Sequence, residues 1–151
     1  MKKIEINKGD IEHLKEYHQL QYERIDKLEE QRFNFANLIL TLGTFALTFG
    51  YKDASIGFNN AIQKIAIPLL LLISNIAAII FIFKTREFIK MHQKRAEIAR
   101  ELYAPVLNQI NENVTKIDSG KDIIKRSNLH IYLHGLFIII ALSILIYGFS
   151  H

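Results

Sequence analysis

Residues 34–51 read NFANLILTLGTFALTFGY, and the placement of this stretch decides the fold. It is apolar enough to span a bilayer, yet Asn34, Asn37, Thr41, Thr44 and Thr48 recur at steps of three, four, three and four. On a helix those steps gather all five side chains on one face. Lipid offers amides and hydroxyls no hydrogen-bond partner, so the face must meet protein or water. A chain of 151 residues has little protein of its own to offer. Self-assembly around this face is therefore expected.

Two further apolar runs flank it. With residues 33–51 as the first, the second is IAIPLLLLISNIAAIIFIF at 65–83 and the third LHIYLHGLFIIIALSILIYGF at 129–149. Each is long enough, at about 1.5 Å per residue, to match a hydrocarbon core of about 30 Å. The expected fold class is an all-α membrane protein: three transmembrane helices and a helical cytoplasmic bundle in one structural unit. The first apolar run follows more than thirty charged and polar residues and ends in no small-residue cleavage site, so an uncleaved anchor is expected. The chain has no cysteine, which excludes disulfides, thiolate nucleophiles and thiolate metal sites.

The basic residues set the expected orientation. Seven lie before the first run, from Lys2 to Arg32, and ten lie between the second and third, from Lys84 to Arg126. The short loop 52–64 holds only Lys52 and Lys64. The positive-inside rule then puts the N-terminus and the segment 84–128 in the cytoplasm, and the loop 52–64 and the C-terminus outside. A bacterial inner membrane is the expected location.

The cytoplasmic helix 10–32 begins at Asp10, a helix-capping residue, and carries Ile11, Leu14, Ile25 and Leu28 on its apolar side. His18, Gln21 and Arg32 interrupt that seam. No glycine or proline separates it from the first span, so one helix is expected from Asp10 to Gly50. The second span is likewise expected to run on to about Ala104, where Pro105 ends it and opens another helix. That helix would carry Leu107, Ile110, Val114 and Ile117 to a turn at Asp118-Ser119-Gly120. Ser119 or Asp122 would then cap a helix running through Ile123 and Ile124 into the third span.

Three constellations carry chemistry. The Asn/Thr stripe either lines a water-filled path in an oligomer or supplies hydrogen bonds within the three-helix bundle. Lys84, Arg86, Lys90, Lys94, Arg95 and Arg100 form a basic run suited to lipid headgroups or to a phosphate-bearing ligand such as a nucleotide or short oligonucleotide. His130 and His134, four apart, suit helix packing or a pH-sensitive gate better than a metal, since two ligands do not make a site. Pro68 and the pair Ser74-Asn75 are candidates for a kink, and Gly43, Gly135 and Gly148 for close helix approach. No phosphate-cradling glycine loop, zinc-protease helix or serine elbow is present, so no catalytic activity, cofactor or metal is expected.

The layout, carried by LEEQRFNFANLILTLGTFALTFG at 28–50 and FKTREFIKMHQKRAEIARELYAP at 83–105, resembles the small transmembrane effectors of Hailong-, Pycsar- and CBASS-type bacterial antiphage systems. The resemblance is one of architecture. It implies a homo-oligomer that permeabilises the inner membrane when a partner enzyme's nucleotide or oligonucleotide signal changes. A basic mouth with no acid inside the spans favours anions or poor selectivity. The alternatives are a non-conducting membrane subunit that docks a cytoplasmic partner protein, and a holin-like lysis protein.

Overall fold

The computed structural model describes residues 8–51, 62–107 and 128–150, and all of these except Tyr51 and Ala104 are helical. Helix α1 spans Lys8–Gly50, α2 spans Ile67–Tyr103 and α3 spans Leu129–Ser150. A single turn of π-helix, Ile62–Ala66, leads into α2. All three helices are long and apolar enough to cross a membrane.

Helix α1 has 43 residues, which is roughly 65 Å at about 1.5 Å per residue. No glycine or proline interrupts it between Gly9 and Gly43, and Asp10 in its first turn complements the positive end of the helix dipole. Pro68 lies in the first turn of α2, two residues after the π-turn Ile62–Ala66, and the helical run passes through it from Ile62 to Tyr103. At the far end, Pro105 forces the residue before it out of helical geometry, and α2 stops at Tyr103. The Ala104 N–H still reaches the Arg100 carbonyl at 2.8 Å, and Leu107 N–H bonds the Ala104 carbonyl at 3.1 Å as a new turn begins. Ile110, Val114, Ile117, the turn at 118–120, its candidate caps and Ile123-Ile124 lie outside the described residues, as does most of the loop 52–64.

By its internal packing the chain divides into two compact units: Met1–Glu30 with Thr85–Ile123, and Gln31–Lys84 with Ile124–His151. Nothing in the sequence marks the division, because α1 and α2 both run through it unbroken.

In the second unit, α2 turns Pro68, Leu71, Asn75, Ala78 and Ile82 inward at steps of three and four. Ala36 and Gly43 of α1 and His134 and Ala141 of α3 are buried with them. The large apolar side chains point the other way: Ile73, Ile76, Ile80 and Phe83 on α2 and Leu136, Ile139, Ile146 and Phe149 on α3 are exposed. Ala36, Gly43, Ala78 and Ala141 let the helices approach closely around Leu71 and Ile82, and most of the bulky apolar side chains face outward, as in helices that pack in lipid. A Cβ on Gly43 would stand 2.8 Å from the Phe137 ring and 3.4 Å from Leu71, so α1 reaches its neighbours only because that side chain is missing. A Cβ on Gly148 would meet the Lys64 backbone at 3.2 Å, whereas Gly135 has nothing within 4 Å. Phe35 and Phe81 stack at 4.6 Å between ring centres. Where α1 ends, the Tyr51 hydroxyl donates to the Gln63 carbonyl at 2.7 Å and the Gln63 amide donates to the Gly50 carbonyl at 2.9 Å.

In the first unit, α2 continues the same rhythm with Thr85, Ile89, His92, Ala96 and Ala99 buried, and α1 contributes Gln21 and Ile25. The His18 ring lies 4.9 Å from Tyr22 and 5.6 Å from Tyr103. His18 and Gln21, which interrupt the apolar seam in the sequence, thus occupy it as polar members.

Candidate functional site: the polar face of the first helix

Neighbouring residues on a helix point about 100° apart, and α1 divides its roles accordingly. Ala36 and Gly43 turn into the second unit, while Asn37 and Thr44, one residue on, turn away from it. Asn34, Thr41, Thr44 and Thr48 are exposed and Asn37 is half-buried. With Leu40, Phe45 and Phe49, four of these five side chains (all but Asn34) line a shallow groove of about 470 Å³ along the outside of the helix. Phe45 and Phe49 stack at 4.4 Å beside it. The Thr44 hydroxyl donates to the Leu40 carbonyl at 2.9 Å, the usual local bond of a helical threonine. Among the described residues Asn34, Asn37, Thr41 and Thr48 have no hydrogen-bond partner on another helix of the chain.

The other polar groups of the apolar runs behave in the opposite way. Asn75 and His134 are both fully buried, and the His134 Nδ1 lies 2.7 Å from the Asn75 Oδ1. Asn75 uses its NH₂ on the Leu71 carbonyl at 2.8 Å, so Oδ1 is the acceptor and His134 Nδ1–H the donor. That leaves the His134 Nε2 lone pair buried without a partner. His134 therefore joins α3 to α2, on the interior of the second unit and not on the Asn/Thr face. His130, one turn before it, is half-buried with its ring edge-on to Phe33 at 5.5 Å. Ser74 donates to the Leu71 carbonyl at 3.2 Å and stays local.

A second amide–histidine pair stands in the first unit. His92 Nδ1 donates to Gln21 Oε1 at 2.7 Å, both side chains being buried. Burial pushes the His92 imidazole below the usual histidine range, and the nearby Arg24 and Arg95 push it the same way. His18 is lowered too, first by burial and then by Arg100. Sequence reasoning found none of these pairings. Their signal is a polar residue at an inward position of the three-four repeat, visible only once the inward face is known.

The basic run lies on α2. Lys84, Lys90, Lys94 and Arg95 are exposed, and Arg86 and Arg100 are half-buried beside the inward positions. Among the described residues no group of three or more His, Asp or Glu side chains could hold a metal ion. The site thus comprises a polar face on one helix and a basic run on another, with the two histidine pairs inside. No protein family, characterised protein or solved structure matches this chain.

Proposed function

We propose that copies of this chain assemble in a bacterial inner membrane around the polar face of α1, forming a pore or membrane-disrupting effector. One observation carries the reading. Asn75 and His134 find partners inside the chain, but the amides and hydroxyls of α1 face outward with none on another helix. In a bilayer that face needs a second copy or water, and a closed ring of copies supplies both. In this reading the N-terminus and the basic part of α2 lie in the cytoplasm and the C-terminus outside, as the charge bias dictates. Lys90, Lys94 and Arg95 are then placed to hold anionic headgroups or a phosphate-bearing regulator, a nucleotide or short oligonucleotide. The layout's resemblance to antiphage effectors makes that regulator a defence signal.

The test has two parts. Detergent-purified protein is sized by mass photometry and imaged as two-dimensional particle averages, where a ring of four or more copies is expected. Conductance is then measured for N37L/T41L, which should assemble and fail to conduct; unchanged conductance would refute the lining. A monomer or simple dimer would favour a second reading, a non-conducting subunit docking a cytoplasmic protein. That reading draws on Phe88, Ile98 and Leu102 of α2, which the first unit leaves exposed.

A further inference from the structure

Within the first unit, the Gln21–His92 bond fixes how α1 and α2 face each other. His18 of α1 meets Tyr103 of α2 while Gln21 meets His92, so partner numbers on α2 fall as those on α1 rise and the helices run antiparallel here. In an antiparallel pair, residues at the same offset from their inward neighbours come to the same side. Arg24 directly precedes buried Ile25, and Arg95 directly precedes buried Ala96, so both lie on one side of the unit. Each also lies one turn past the bonded pair in its own chain direction. The two arginines therefore bracket the His92 ring from opposite ends, roughly 9 Å apart along the axis at the α-helical rise. Their charges are felt at that ring, which burial first, then Arg24 and Arg95, hold below the usual histidine range. Among the described residues neither arginine makes a hydrogen bond or ion pair, and both are exposed. No position three or four residues from either one holds a carboxylate, the usual partner along a helix. Lys90 and Lys94, by contrast, have Glu87 and Glu97 three residues away. The same side carries exposed Leu20 beside Arg24, exposed Met91 and Ile98 beside Arg95, and one further base, Lys27. The nearest acid at that offset among the described residues is Asp10, roughly 21 Å from Arg24 along α1.

We infer that Arg24 and Arg95 together hold the phosphate of an organic phosphomonoester, with Leu20, Met91 and Ile98 against its apolar body. Two like charges on one side with no acid between them repel, and a dianion placed there turns that repulsion into attraction. A phosphomonoester brings about two negative charges and three acceptor oxygens at neutral pH, enough for a guanidinium fork from each helix. A carboxylate has one charge and two oxygens to divide between the same two forks. His92 underlies the site: it is 8% exposed, its Nδ1 is committed to Gln21, and Nε2 is the one polar atom the ring has left. This deepens the reading of a phosphate-bearing regulator and rests on it for the ligand's regulatory role, but the binding itself needs no pore. It also moves the site from Lys90 and Lys94 to a pair of arginines on two helices.

The experiment uses the full-length protein in phosphatidylcholine nanodiscs and two phosphomonoester probes. Adenosine monophosphate is titrated in solution by calorimetry, and phosphatidic acid is added to the discs while the melting temperature is followed. Binding of the first assigns a soluble ligand, and a rise in melting temperature with the second alone assigns a lipid headgroup. In either case Arg24→Gln and Arg95→Gln should each weaken binding about tenfold or more. Lys90→Gln/Lys94→Gln, which alters exposed and screened charges, should change it only a few-fold. Without any probe, Arg24→Gln should melt no lower than wild type, because it removes a repulsion and breaks no bond. The inference is overturned if neither probe binds, if the arginine variants bind like wild type, or if the lysine variant loses as much as they do. An unliganded Arg24→Gln that melts lower or fails to fold overturns it too, since the side chain would then be a structural partner. Every readout is binding or stability, so a missing ring or absent conductance refutes the pore reading and leaves this one standing.

Discussion

The Asn75–His134 pair allows a quantitative test by a double-mutant cycle. Asn75→Leu keeps the side-chain volume but removes the acceptor for His134 Nδ1–H. Both ring nitrogens are then unpaired in a fully buried position. Stranding a buried donor costs about 1–3 kcal/mol, so about 2 kcal/mol is expected for this variant. At about 2–4 °C per kcal/mol for a chain of this size, the Tm falls by roughly 4–8 °C. His134→Leu strands the Asn75 carbonyl oxygen but removes the orphaned Nε2, so its cost is smaller. With both replaced, no polar group is stranded, and the double variant should be more stable than the sum of the single losses by about 1 kcal/mol. Hydrogen bonds between membrane helices average about 0.6 kcal/mol, so a coupling near that value is still consistent. Thermal unfolding in one detergent, followed by far-ultraviolet circular dichroism, reads the loss of helix directly. Strict additivity of the two single variants would refute the pairing.

Two further outcomes follow from the packing and the charges. His92 and His18 bind protons more weakly folded than unfolded, so the unfolded state takes up protons first as pH falls. Their contribution is complete above the ordinary histidine range near 6.5 and is lost as pH drops from there toward the lowered folded values. Melting in detergent should therefore be lower at pH 5 than at pH 7.5, and His92→Gln should flatten that slope; an equal slope in the variant would exclude His92 as a source. Gly43→Leu should destabilise by about 1–3 kcal/mol or more, because even its Cβ meets Phe137 at 2.8 Å, whereas Gly135→Leu should cost far less. Comparison of their melting temperatures checks the contrast, and an equal loss would mean that α1 does not approach α3 at Gly43.

The elements were legible where local rules decide them. The long α1 follows from an uninterrupted run between Gly9 and Gly43, and the stop of α2 from Pro105. The inward faces were harder to read, because hydropathy draws attention to Ile73, Ile76 and Ile80, which point outward. The true interior of α2 sets Leu71, Ile82 and Ile89 among Ala78, Ala96, Ala99, Asn75, Thr85 and His92, and the small and polar members keep it from registering as a core. The amide–histidine pairs were out of reach for another reason. Their partners are 71 and 59 residues apart, and no local pattern specifies which amide meets which ring. The π-turn Ile62–Ala66 has no sequence signal that we can identify. The polar stripe itself was plain from spacing, and the structure adds its outward direction.

The distance along the chain between Asn75 and His134 also has a consequence for synthesis. At about 5–20 residues per second, the 59 residues between them take the ribosome roughly 3–12 s. During that interval α2 must be accommodated in the bilayer with its Asn75 acceptor waiting. The amide N–H does not wait, since Leu71 of the same helix already receives it. The Oδ1 acceptor stays open until the last helix arrives, and filling it selects α3 over lipid as the neighbour of α2. The nascent protein thus carries an address for its final segment, written in one carbonyl oxygen.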